Sequence, residues 1–141
     1  MKQITYSLDQ LNEVAHFLKD EIQDCDVVTF TGSLGAGKTT LIRALSKALG
    51  IIQEVTSPTF AYVHVYNDAQ HKRYVHFDLY RLHDPEEFVA MGFDEYFDNA
   101  QLFVEWPDVI KPFLHGKRVC HIAIDYDGLD KRVLSLTKEI A

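Results

Sequence analysis

The sequence predicts an α/β domain in three layers, with a mixed, mostly parallel sheet and an antiparallel tail. Three observations predict it. Asp26–Thr31 is a short β-branched and apolar run, the mark of a buried strand. A glycine-rich turn, Gly32-Ser33-Leu34-Gly35-Ala36-Gly37, follows it directly, and helical spacing then resumes through Leu41, Ile42, Leu45, Ala48 and Leu49. Further strand-like segments recur downstream. A strand, a loop, a helix and later strands compose an α/β sheet.

The elements follow in order. Lys2–Tyr6 reads as a short strand and Ser7 as a helix N-cap. Leu8, Leu11, Ala15, Leu18 and Ile22 recur at helical spacing, so the periodicity predicts an amphipathic helix over Leu8–Gln23. The second helix runs over Lys38–Leu49, and Gly50 ends it in the left-handed C′ role. Thr56-Ser57-Pro58-Thr59 is a loop, because proline restricts both itself and the residue before it. Ala61–Tyr66 and Arg73–Leu79 flank the polar turn Asn67–Gln70 and predict a hairpin. Asp84-Pro85-Glu86-Glu87 opens a helix with proline at N1 and acids in the first turn, and Gly92 closes it. Leu102–Glu105 is a short buried strand closed by Trp106-Pro107. Arg118–Tyr126 and Arg132–Thr137 alternate as strands around the turn Asp127–Asp130. The parallel part is expected to hold Asp26–Thr31 and the strands ending near Asp78 and Glu105, with the tail antiparallel.

A chain of 141 residues fits one domain, residues 1–141. Its composition, 47% hydrophobic and 25% charged, is that of a packed globular protein and not of a disordered one. The net charge of −7 weighs against autonomous binding to DNA or RNA, which needs clustered Lys and Arg. A nucleic-acid pathway reached through a protein partner stays open. Cys25 and Cys120 show neither CxxC nor zinc-type spacing and read as small buried apolar residues. Met1–Thr5 leads into polar and amphipathic sequence, and no apolar stretch approaches the length of a membrane span. A soluble, cytoplasmic protein with no membrane contact is the expectation.

Gly32–Thr39 matches G-x-x-x-x-G-K-[ST], the P-loop or Walker A motif, without a mismatch. Each position has a chemical reason. Gly32, Gly35 and Gly37 let the backbone bend and bring its N–H groups close to phosphate oxygens. The helix starting at Lys38 points its N-terminus at the anion. Lys38 supplies a mobile positive charge for the β- and γ-phosphates, and the Thr39 hydroxyl is the expected direct Mg²⁺ ligand. The motif lies between a strand and a helix, where this mechanism requires it. The fold expected is therefore of the P-loop NTPase type, binding ATP or ADP with Mg²⁺.

Such a site needs an acid at the end of a neighbouring strand to hold the metal's water shell. Asp78 ends Tyr74-Val75-His76-Phe77-Asp78, and Glu105 ends Leu102-Phe103-Val104-Glu105. The residues leave open which acid holds Mg²⁺ and which positions water. Ser57 and Thr59 can reach Mg²⁺ or the γ-phosphate in an ordered state, or belong to a rigid proline turn. Arg81 can meet phosphate or pair with Asp84 or Glu87. The seven histidines show no metal spacing and read as solvated or core residues. Trp106 shields the site, presents an aromatic surface to a partner or packs in the core, and Ser7 and Arg132 are possible neighbours of adenine.

Together these motifs resemble the TsaE (YjeE) family, small bacterial ATPases required for the threonylcarbamoyladenosine modification of transfer RNA. The residues that carry the likeness are Gly32–Thr40, Ser57-Pro58-Thr59-Phe60, His76-Phe77-Asp78-Leu79-Tyr80-Arg81, Asp84-Pro85-Glu86-Glu87 with Gly92, and Val104-Glu105-Trp106-Pro107. The first is generic; the others, in this order, are far more specific. The resemblance implies a compact P-loop ATPase acting on the threonylcarbamoyltransferase subunit TsaD and its partner TsaB, with tRNA reached only indirectly. ATP hydrolysis to ADP and phosphate resets that complex. It also implies that Ser57–Thr59 resembles a switch segment, Glu105 the Mg²⁺-associated acid and Asp78 a second acid needed for hydrolysis. The nucleotide-binding set is then Ser33, Gly35, Ala36, Gly37, Lys38, Thr39, Thr40, Ser57 and Thr59. The catalytic set is Lys38, Asp78 and Glu105, and the metal set Thr39 and Glu105.

Two rival functions share the loop. A small-molecule kinase needs a lid with arginines and an acceptor pocket, and 141 residues without an Arg-rich insertion leave little room for either. A guanine-nucleotide switch usually carries an Asn-Lys-x-Asp loop, which this sequence lacks.

Overall fold

The computed structural model describes residues 1–58 and 61–141. The strands are β1 (Lys2–Ser7), β2 (Val27–Thr31), β3 (Val63–Asn67), β4 (Arg73–Asp78), β5 (Gln101–Glu105), β6 (Arg118–Asp127) and β7 (Lys131–Ile140). The α-helices are α1 (Leu11–Glu21), α2 (Lys38–Ala48) and α3 (Pro85–Ala90). Among the described residues, no helix is long and apolar enough to cross a membrane.

The strands form one sheet in the order β1-β7-β6-β2-β5-β4-β3. Strands β6, β2, β5 and β4 are mutually parallel. Strand β7 runs against both β6 and β1, and β3 runs against β4. Only β7 and β3 therefore point the other way, and the sheet is mixed but mostly parallel. The tail hairpin is antiparallel, as expected, and it joins the sheet through β6, which lies parallel to β2, with Val28 opposite Cys120 and Thr29 opposite His121. The antiparallel part is β7 together with its two neighbours.

Alternation along the strands makes two cores, one per face. Val28, Phe30, Tyr74, Phe103, Cys120 and Ile122 pack with Leu18 and Ile22 of α1 and Leu41, Ile42 and Leu45 of α2. Val27, Val75, Phe77, Leu102, Val104 and Val119 face the opposite way, onto Phe88 of α3, Phe93 and Ile110. Helices on both faces of the sheet give the three layers. Both cysteines are free and buried in the first core.

The first helix begins later than its periodicity suggests. Leu8–Gln10 is a 3₁₀ turn and α1 starts at Leu11. Ser7 and Gln10 form a capping box, with the Ser7 N–H donating to Gln10 Oε1 at 3.0 Å. Leu8 stands 76% exposed instead of joining the apolar stripe, which frees it to line the cleft described below. Another 3₁₀ helix, Pro107–Phe113, follows β5 where the sequence shows only a strand closure. Pro107 suits its first turn, and Pro112 denies it the donors of a longer α-helix.

Candidate active site

The loop between β2 and α2 lies at the carboxyl ends of the parallel strands, where open α/β sheets bind ligands. Its backbone is built on left-handed glycines, with φ of 78° at Gly35 and 101° at Gly37, the N-cap of α2. Gly32 is constrained more tightly still. Its φ is 150°, and a Cβ there would sit 2.5 Å from the Ile124 carbonyl oxygen of β6. Gly32→Ala is therefore expected to cost about 2–3 kcal/mol, since backbone and not a flexible side chain must yield. The check is a denaturant melt against wild type; an unchanged midpoint would remove the close approach of the loop to β6.

The tail holds the loop from outside. The Tyr126 hydroxyl donates to the Gly35 carbonyl at 2.7 Å, and Arg132 Nε donates to the Ala36 carbonyl at 3.2 Å. The Arg132 guanidinium stacks 4.1 Å from the centre of the Tyr126 ring, so the two clamps brace each other.

Lys38 is folded back onto its own loop. Its Nζ donates to the Gly32 carbonyl at 2.6 Å and the Ser33 carbonyl at 3.3 Å. The ammonium also lies 3.9 Å from the centre of the Trp106 ring and is only 6% exposed. Burial pushes it below the usual lysine range, while Glu105 and then Asp78 oppose that shift. Trp106 reaches this position through a left-handed backbone, φ 57° and ψ 63°, which a non-glycine residue adopts only under constraint from its surroundings. Tyr80 packs against its indole at 4.9 Å between ring centres.

Thr39, in the first turn of α2, donates its hydroxyl to Glu105 at 3.2 Å from Oε1 and 3.3 Å from Oε2. Glu105 ends β5 and is 3% exposed. Its Oε2 also accepts from His76 Nε2 at 2.8 Å. Asp78 ends β4 directly opposite Glu105 in the parallel register and is buried as well. Its Oδ1 accepts from the Tyr80 N–H at 3.1 Å, and the Leu79 N–H donates to the Glu105 carbonyl at 3.1 Å, so the two acidic corners are tied together.

Lys38, Thr39, Asp78 and Glu105 thus converge, as their sequence positions suggested. Ser33, Gly35, Ala36 and Gly37 form the loop itself, and Thr40 is exposed beside it. Ser57 is exposed in the segment that follows α2 in the chain, and that segment is tied to the helix where Arg43 Nε donates to the Val55 carbonyl at 3.1 Å. Thr59 lies outside the described residues. Ser7 and Arg132 do border the loop: with Leu8, Leu11, Gly35–Gly37, Thr40 and Leu129 they line a cleft of about 590 Å³. Sequence reasoning missed two members of the site. His76 passed as an ordinary core or solvated histidine, although it stands two residues before Asp78 and so on the same face of β4. Tyr126 gave no signal, because its contact with Gly35 depends on β6 lying beside β2.

Comparison with known proteins gives the family and the fold. The family model described as threonylcarbamoyl adenosine biosynthesis protein TsaE matches residues 5–134. The chain is 36% identical to the tRNA threonylcarbamoyladenosine biosynthesis protein TsaE of Bacillus subtilis, covering 97% of this chain and 87% of that one. It is 32% identical to the TsaE protein of Rickettsia prowazekii, covering 95% and 94% respectively. The crystal structure of Bacillus subtilis YdiB superposes with a TM-score of 0.71 at 29% identity, covering 99% of this chain and 87% of that one. With a family model spanning nearly its whole length and relatives this similar end to end, the chain belongs to the TsaE family, whose place is in the biosynthesis of threonylcarbamoyladenosine on tRNA.

Proposed function

We propose that this chain is a Mg-ATP-dependent ATPase that acts on the TsaD–TsaB threonylcarbamoyltransferase complex, with hydrolysis to ADP and phosphate resetting that complex. The observation that carries the reading is the convergence of Lys38 and Thr39 on the two strand-end acids Asp78 and Glu105.

The residues fit Mg²⁺. Thr39 gives its hydroxyl proton to Glu105, which leaves its oxygen lone pairs for a hard cation. One hydroxyl with an acid behind it suits Mg²⁺, which keeps several waters and is bound through few protein groups together with substrate phosphates. Thr39, with Glu105 behind it, would hold a bound Mg²⁺, which would supply positive charge against the phosphates.

The chain supplies the rest. Loop N–H groups and the start of α2 receive the phosphates. Lys38 leaves the carbonyls of Gly32 and Ser33 and turns its ammonium to the β- and γ-phosphate oxygens. Glu105 holds Thr39 in place and would help hold the cation's water shell. Asp78, with a carboxylate at the same sheet end, orients the attacking water. That water's oxygen bonds to the γ-phosphorus, the bond to the ADP oxygen breaks, and a proton is released. The base occupies the cleft between Leu8, Leu11, Leu129 and Arg132.

The test is ATP turnover by the purified chain, alone and with the TsaD–TsaB pair. Slow release of phosphate alone, rising at least about tenfold with the pair, is the expected result; partner-supplied groups accelerate related phosphoryl transfers by far more. Turnover indifferent to the pair would remove the partner-dependent mechanism.

A further inference from the structure

We propose that His76 is a positioning residue that locks the Glu105 carboxylate in its metal-facing orientation, a role that rests on the Mg-ATP reading above. Alternation along β4 places Val75 and Phe77 in the core under α3, and Tyr74 in the core under α1 and α2. His76 and Asp78 share the parity of Tyr74. The register sets His76 opposite Phe103 and Asp78 opposite Glu105. His76 therefore stands one step behind the two acids, on the face that α2 covers.

Its Nε2–H donates to Glu105 Oε2 at 2.8 Å, and the two side chains are 1% and 3% exposed. Thr39 Oγ1 faces the same carboxylate from the helix side, 3.2 Å from Oε1 and 3.3 Å from Oε2, and so does not tell the two oxygens apart. The last torsion of a glutamate is soft, with a broad, roughly two-fold profile. Thr39 alone leaves the carboxylate free to turn about that bond. A donor on Oε2 alone removes the freedom, so Oε1 stays available on the side of Thr39 and the cation that Thr39 would ligate.

The price of the arrangement points the same way. His76 Nδ1 is buried and has no hydrogen-bond partner among the described residues. An unsatisfied buried polar atom costs about 1–3 kcal/mol, and a leucine or phenylalanine would fill the position without that cost. A group of this kind calls for an explanation. Histidine–carboxylate pairs behind a metal ligand provide one: removing the outer partner typically costs about 10–100-fold in metal affinity or activity.

The experiment measures affinity for a non-hydrolysable ATP analogue by calorimetry across a range of Mg²⁺ concentrations, with thermal melts of each variant. His76→Leu and His76→Asn remove the donor to Glu105, the asparagine being too short to reach. His76→Gln can place its amide nitrogen near the position of Nε2. Leu and Asn variants are expected to keep metal-free affinity within about twofold and to need about 10–100-fold more Mg²⁺. His76→Gln is expected to recover most of that loss. A wild-type Mg²⁺ requirement in the Leu and Asn variants would overturn the proposal, as would a Gln variant no better than Asn. If His76→Leu does not fold, the Asn-against-Gln comparison decides alone. Wild-type protein whose affinity ignores Mg²⁺ would overturn the metal reading of Glu105 and this role with it.

Discussion

Lys38→Met is expected to reduce ATP turnover by at least about 10²–10³-fold, the scale on which a single charge-stabilising group acts in a transition state, while leaving the nucleotide-free protein as stable as wild type or more so. Both halves follow from where Nζ sits. The ammonium is buried against Trp106 and satisfied by two carbonyls of its own loop. Burial outweighs the attraction of Glu105 and Asp78, so its pKa in the folded protein lies below the free value of 10.5. Between those two values the unfolded chain binds more protons than the folded one, and stability rises with pH through that window. Below the window both states are charged and the full desolvation penalty is present. A methionine keeps the stem's packing and removes the charge. Nucleotide reverses the balance, because phosphate oxygens take over the ammonium. Wild-type protein should therefore melt higher with ATP and Mg²⁺, and Lys38→Met should lose most of that rise. The single tryptophan, Trp106, faces the moving charge, so its emission should change with ATP in wild type and not in the variant. Normal turnover, or a full ATP-induced rise in the melting temperature, would sink the assignment of Lys38.

How far the site could be read in advance depended on how local each part is. The loop residues from Gly32 to Thr39 are contiguous, and the chemistry of each is visible in its type and spacing. Asp78 and Glu105 each close an apolar strand, which places them at one end of the sheet before any pairing is known. That they stand directly opposite each other required the register of β4 against β5. Contacts between distant elements were not legible. Tyr126 meets Gly35 across 91 positions and Arg132 meets Ala36 across 96, and both depend on β6 pairing with β2. The alternation of Arg118–Tyr126 is the same whether it runs parallel or antiparallel to its neighbour, so the sequence carried no signal for that choice. The early end of the apolar stripe at Leu11 was hidden for a related reason. Leu8 is spaced like a core residue, but the capping geometry of Ser7 and Gln10 sets the first turn as 3₁₀ and carries Leu8 to the surface.

The second large effect belongs to Glu105, and it separates the two acids. Glu105→Ala is expected to lower kcat by about 10²-fold or more while nucleotide affinity without Mg²⁺ stays within a few-fold. The loop N–H groups and Lys38, to which the proposed function assigns phosphate binding, stay in the chain. Lost instead are the acceptor for Thr39, the acceptor for His76 Nε2 and a counter-charge near Lys38. A buried donor left without its partner costs about 1–3 kcal/mol, so the variant should also melt lower than wild type. Glu105→Gln keeps the volume and one carbonyl oxygen, and it should recover much of the stability but little of the turnover. Asp78→Asn should behave differently. Its carboxylate is not the one Thr39 reaches, so the Mg²⁺ concentration for half-maximal rate should stay near wild type while kcat falls. The decisive measurement is a Mg²⁺ titration of turnover in both variants, with nucleotide affinity measured alongside. A shifted Mg²⁺ requirement in Asp78→Asn, with Glu105→Ala turning over normally, would reverse the roles: Asp78 would hold the cation's water shell, and Glu105 would be a strut between β5 and α2.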